Sequence, residues 1–187
     1  MSRLRHLPNA ITVLRLASVP VAVWLLVRHD LAAAFWIFVA ASLTDAVDGL
    51  LARLLRAQSA FGSYLDALAD KLLLVSVYLS LAVLGLLSWW LVGVVVCRDV
   101  LLVAFAVGGH LTGRQSEVQP LMISKVNTLA QILLVIVVLG HQAMSYFPAG
   151  LTASLSWLVA ATTVASALAY LGAWWRAEAL RRRSTEG

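Results

Sequence analysis

Between Asp45 and Asp70 the chain spells Asp45-x-x-Asp48-Gly49-x-x-Ala52-Arg53, then eight residues, then Gly62-x-x-x-Asp66-x-x-x-Asp70. Four of the protein's nine acidic residues fall in this window. On a helix, residues three and four apart share a face. At about 100° per residue, Asp45, Asp48, Gly49, Ala52 and Arg53 form one stripe, and Gly62, Asp66 and Asp70 form another. The small residues Gly49, Ala52 and Gly62 let two helices, or a ligand, come close to backbone. An all-oxygen donor set with no Cys or His beside it selects hard cations such as Mg²⁺ or Mn²⁺. Four carboxylates exceed what one Mg²⁺ needs, so either two metals bind or one carboxylate is kept for proton transfer. Two-metal clamps serve in-line displacement at phosphorus. Arg53, one turn along, is placed to hold a phosphate.

The surrounding sequence makes these charges expensive. Of 187 residues, 61% are hydrophobic and only 12% charged, with a mean hydropathy of +0.90. No soluble interior of this size hides so much apolar surface. A charge at a bilayer centre costs about 3 kcal/mol or more, which makes an intramembrane carboxylate a functional residue by default. Mutual ion pairing does not explain the cluster, because Arg53 and Lys71 are too few to neutralise four acids. A cation or proton pathway, as in a transporter, is the rival reading; no acidic series continues across the membrane to support it.

The elements that position the stripes follow from hydropathy. A helix crossing the hydrocarbon core needs about 20 residues, and apolar runs of that length fall at 9–27, 33–55, 62–86, 89–109, 121–141 and 151–175. The runs are too long for barrel strands, so the expectation is an all-α, polytopic membrane protein of six transmembrane helices. No internal repeat or long linker divides it, and 1–187 is read as one membrane domain. Arg3, Arg5, Arg53, Arg56, Arg114, Arg176 and Arg181-Arg182-Arg183 gather at one side of the spans, while the other holds Arg28 with Asp30. The positive-inside rule then puts both termini and the acidic window at the cytoplasmic face. Phe35-Trp36, Trp89-Trp90, Tyr146-Phe147 and Trp157 form an aromatic belt at the opposite face. Arg15 interrupts the first apolar run, which argues for a retained span over a cleaved signal peptide.

A sequence pI near 10 and a net charge of +5 could suggest nucleic acid. The basic residues sit at span ends, which fits anionic lipid headgroups instead. The single cysteine, Cys97, lies in an apolar run and is expected to pack inside. His6, His29, His110 and His141 lack metal-ligand spacing and are read as interfacial or packing residues.

The acidic window resembles the signature of the CDP-alcohol phosphatidyltransferases, with every motif residue at the family's spacing. The likeness extends to Pro8-Asn9-x-x-Thr12-x-x-Arg15 and to Ala69-Asp70-Lys71, and departs at Ala67, where many members have proline. The resemblance implies a six-helix homodimeric membrane enzyme of the family's fold. It would move a phosphatidyl group from CDP-diacylglycerol to an alcohol and release CMP. It further implies that Asp45, Asp48, Asp66 and Asp70 hold a pair of Mg²⁺ or Mn²⁺ ions, that Gly49, Ala52, Arg53 and Gly62 contact the CDP moiety, and that Asp70 doubles as general base. Thr44 or Asn9 would support the ligands.

The acidic window does not name the alcohol. Arg98-Asp99 lies inside the fourth span, as a neutralised buried pair or as a headgroup-binding element. The run Pro120-Leu121-Met122-Ile123-Ser124-Lys125-Val126-Asn127-Thr128 opens the fifth span, where Lys125 either snorkels or binds phosphate. With Arg98-Asp99 and Thr162-Thr163-Val164-Ala165-Ser166-Ala167, this run resembles the CMP-forming cardiolipin synthase branch, whose acceptor is phosphatidylglycerol. The related phosphatidylglycerophosphate synthase branch uses glycerol 3-phosphate and typically has Arg-Glu at 98–99. Arg98, Asp99, Arg114, Ser124, Lys125 and Asn127 are the candidate acceptor residues, and a bacterial plasma membrane is the expected location.

Overall fold

Every regular element among the described residues is an α-helix, as long apolar segments with saturated internal hydrogen bonding require. The six are α1 (Leu7–Val27), α2 (Leu31–Leu55), α3 (Ala60–Val83), α4 (Trp89–Leu111), α5 (Met122–Met144) and α6 (Ala149–Thr185). This computed structural model describes residues 7–55, 60–111 and 122–185, and side-chain surroundings at 16–44, 69–105, 122–148 and 150–176. Pro20 sits inside α1, where it lacks the N–H that would bond the carbonyl of Leu16.

Tight hydrogen-bonded turns end α1 and α3. After α1, His29 takes φ 59°; its N–H donates to Leu26 O at 3.0 Å and that of Asp30 to Leu25 O at 2.9 Å. These paired bonds satisfy carbonyls the helix end would leave open. Asp30 then caps α2, its Oδ1 accepting from the Ala33 N–H at 3.1 Å, as an N-cap carboxylate should. Gly85, at φ 72°, closes α3 in the same way, with Leu86 N–H on Leu81 O at 2.9 Å. This turn stops the helix at Val83, short of the 86 expected from hydropathy.

The chain gathers into two compact units, 1–88 with 132–152 and 89–131 with 153–187, so that α5 is divided between them at Gln131. In the first, α1 packs against α2 and α3. Leu26, Phe38, Tyr78, Leu81, Leu134 and Val135 are its buried side chains of largest consequence. A Cβ on Gly140 would stand 2.7 Å from the Phe147 ring and 3.2 Å from that of Phe35. Glycine here admits both rings against α5. In the second unit, Leu91, Val92, Val95, Ala130, Val159 and Ala160 are buried, and Trp90 stacks at 5.3 Å on Trp157.

Many large apolar side chains are exposed among the described residues. Trp24, Trp36, Val83, Trp89, Val100, Trp157, Leu168 and Trp175 are all exposed, an arrangement that water would penalise and lipid would not. Among the described residues, 122–144 and 150–176 are long and apolar enough to cross a membrane. Two expectations are corrected. Cys97 is exposed rather than packed inside, and α6 continues to Thr185, ten residues past the apolar run. Hydropathy marks only the apolar part of a helix, and the Arg-, Ala- and Leu-rich continuation has high helix propensity.

The Asp30 cap predicts a measurable cost. Asp30→Ala should destabilise by about 1 kcal/mol and lower the melting temperature in detergent by about 2–4 °C. An unchanged melting temperature would show that the cap contributes nothing.

Candidate functional site

The acidic stripes lie on the two helices that flank residues 56–59. Asp45, Asp48, Gly49, Ala52 and Arg53 occupy the last turns of α2, and Gly62, Asp66 and Asp70 the first turns of α3. Continuous α-helical backbone through 45–55 and 60–70 preserves the i, i+3 and i, i+4 register within each stripe. The side chains of Asp45, Asp48, Gly49, Ala52, Arg53, Gly62 and Asp66 lie outside the described residues. Asp70 is half-buried, beside the buried Ala69. It stands one turn before the buried Leu73 and Leu74, on the helix face that continues through Val77 and Leu81. Among the described residues no three His, Cys, Asp or Glu side chains gather as a metal site. The donor chemistry of the four aspartates fits a hard divalent cation.

A second constellation occupies the other unit, and here the side chains are described. Arg98 of α4 and its neighbour Asp99 are 3% and 4% exposed. Arg98 Nη1 donates to Asp99 Oδ1 at 2.7 Å, an ion pair between adjacent residues. Nη2 donates to Ser124 Oγ of α5 at 2.6 Å and to Ser166 Oγ of α6 at 2.7 Å, and Nε reaches Ser166 Oγ at 3.3 Å. One guanidinium thus ties three helices together, with its charge opposed by the carboxylate alongside. The planar fork of arginine suits this better than a lysine point charge.

The tie extends one turn along α5 and back along α6. Asn127, fully buried, accepts at Oδ1 from Thr162 Oγ1 at 2.8 Å and from Thr163 Oγ1 at 2.9 Å. Its Nδ2 meets no acceptor among the described residues. Ser124, Asn127 and Gln131 follow i, i+3, i+7 on α5, and Thr163 and Ser166 follow i, i+3 on α6. Asn127, Gln131, Thr163 and Ser166 are all within 1% of full burial. Two polar stripes therefore meet inside an apolar unit through the Asn127 bonds to Thr162 and Thr163, as interhelical hydrogen bonding in membranes favours.

Of the candidate acceptor residues, the structure brings Arg98, Asp99 and Ser124 into one cluster and places Asn127 in the seam beside it. Lys125 is exposed on α5, and Arg114 lies outside the described residues. Ser166, Thr162 and Thr163 belong to the run 162–167 that carries the branch resemblance, and the sequence alone gives them no role. Their signal was available, as polar residues at helical spacing in a span that otherwise needs none.

The sequence matches the CDP-alcohol phosphatidyltransferase family profile over residues 5–173. It is 37% identical to the chloroplastic CDP-diacylglycerol--glycerol-3-phosphate 3-phosphatidyltransferase 1 of Oryza sativa subsp. japonica, over 90% of this chain and 56% of that protein. To the CMP-forming cardiolipin synthase of Homo sapiens it is 33% identical, over 88% of this chain and 60% of the relative. The CDP-diacylglycerol--glycerol-3-phosphate 3-phosphatidyltransferase of Bacillus subtilis (strain 168) is 34% identical, over 92% and 96% respectively. The chain thus spans a little over half the length of the rice and human relatives.

The three-helix tie makes its own prediction. Ser166→Ala leaves two buried guanidinium N–H groups unmet and should cost about 1–3 kcal/mol, read as a lowered melting temperature. No change would mean that the bonds to Ser166 do not contribute to stability.

Proposed function

The chain belongs to the CDP-alcohol phosphatidyltransferase family, and on that premise we propose that it transfers the phosphatidyl group of CDP-diacylglycerol to a glycerol-based acceptor, releasing CMP. The observation that carries this is the acidic motif, whose eight residues keep the helical register needed to present carboxylates along α2 and α3. Asp45, Asp48, Asp66 and Asp70 would hold Mg²⁺ or Mn²⁺, most simply as a pair. Bound there, the metals would offset pyrophosphate charge and favour departure of CMP. Arg53 supplies a cation for the same phosphates, and Gly49, Ala52 and Gly62 leave room for the nucleotide. The acceptor hydroxyl oxygen attacks the β-phosphorus, its proton passes to the Asp70 carboxylate, and the bond from that phosphorus to the CMP oxygen breaks.

For the acceptor we favour phosphatidylglycerol, which makes the product cardiolipin. Phosphatidylglycerol carries one phosphodiester charge, whereas glycerol 3-phosphate carries nearly two and calls for a compact cationic pocket. The Arg98 charge is already opposed by Asp99 at 2.7 Å, which suits the less charged acceptor. The second reading, glycerol 3-phosphate as acceptor, is favoured by the rice and Bacillus relatives, whose names specify that substrate. The enzyme would work as a six-span homodimer in a bacterial plasma membrane, with termini and active site cytoplasmic.

Two outcomes follow. Asp70→Asn should keep the fold and lose about a hundredfold or more in turnover; near-wild-type CMP release by the purified variant would remove Asp70 from the general-base role. Labelled CDP-diacylglycerol offered with either acceptor should yield cardiolipin by mass from phosphatidylglycerol. A product formed only from glycerol 3-phosphate would establish the second reading, and ion flux without CMP release would point to a transporter.

A further inference from the structure

The reading of Arg98 as a ligand for the acceptor's phosphate meets a difficulty in its surroundings. At 3% exposure, it spends Nη1 on Asp99 and both Nη2 and Nε on the hydroxyls of Ser124 and Ser166. A phosphate approaching this guanidinium would have to displace the carboxylate or break bonds that join α4 to α5 and α6. Breaking a buried pair leaves an uncompensated charge, which costs far more than the pair itself contributes. Lys125 offers the contrast. It follows Ser124 directly in the first turn of α5, and its side chain is exposed.

Because Ser124 is one of the two hydroxyls held at Arg98 Nη2, the rotation of that first turn about the α5 axis is tied to Arg98. Asn127, one turn on, is held from α6 by Thr162 and Thr163. Two independent anchors on one face of a helix fix its rotation, and therefore the direction in which residue 125 leaves it. Resting on the transferase reading above, we propose that Arg98 is a positioning residue. Its neutral tie to Asp99, Ser124 and Ser166 sets the first turn of α5 so that Lys125, rather than Arg98, meets the acceptor's glycerol-linked phosphate.

A double-substitution cycle tests this. Arg98→Lys keeps a positive charge but loses the fork, and Lys125→Ala removes the cation. The acceptor KM is measured for each variant and for the pair, with phosphatidylglycerol and with glycerol 3-phosphate as separate arms. Coupling through α5 makes Lys125→Ala raise KM several-fold and makes Arg98→Lys add little on top of it. Ser124→Ala should reproduce the Arg98→Lys effect if the latter variant folds poorly. Independent ligands would instead multiply their effects, and that result, or an unaltered KM in Lys125→Ala, overturns the proposal.

A second readout needs no turnover. In a Cys97→Ser background, Lys125→Cys provides the single thiol, and its labelling rate is compared with and without Arg98→Lys. A several-fold change is expected, and an unchanged rate overturns the positioning role. Absence of CMP release from the wild type with either acceptor would overturn the transferase reading instead, leaving the labelling result to decide whether Arg98 sets the turn.

Discussion

A charge inside an apolar helix must find a counter-charge or a set of hydrogen bonds, and the two units meet that demand differently. Arg98 and Asp99 meet it within the protein, by pairing with each other and drawing on Ser124 and Ser166. The stripes on α2 and α3 hold four aspartates and, by register, only one cation among them, Arg53. In the transferase proposed above, these carboxylates would be offset by a divalent ion and the phosphates it accompanies. On the proposed reading, the same constraint makes one cluster structural and gives the other to chemistry.

Helix boundaries serve that division. The Asp30 cap and the turns at His29 and Gly85 satisfy backbone groups within three to six residues, so α2 can follow α1, and α4 follow α3, without exposing unbonded peptide. Several polar side chains in the interior of the second unit are small and sit at helical spacing along α5 and α6. Ser124, Asn127, Thr163 and Ser166 allow close approach of α5 and α6 while supplying directional bonds. An arginine at their margin adds a third helix to the same network.

The acidic motif could be read directly because its residue types are rare in this chain and its spacing is helical. The helices were legible too, since long apolar runs leave the backbone no alternative in lipid. Rotation was not. In α4 the polar pair Arg98-Asp99 is buried while apolar side chains such as Val100 are exposed, so hydropathy does not mark the inner face, and Cys97 is exposed. The extension of α6 escaped for a related reason, as hydropathy falls at Arg176 while helix propensity does not. Asp99 could be paired with Arg98 from sequence alone, but Ser166 lies 68 residues beyond Arg98. Only tertiary packing joins them.

Whether the four aspartates form a metal-dependent phosphoryl-transfer site is tested most directly by the initial rate of CMP release from CDP-diacylglycerol in proteoliposomes, titrated with Mg²⁺ or Mn²⁺ after chelation. The rate should be negligible in chelator, rise saturably with either ion, and fail to recover in Asp45→Asn or Asp66→Asn at any concentration that restores the wild type. CMP release that persists undiminished in chelator, or that recovers fully in those variants, would contradict it.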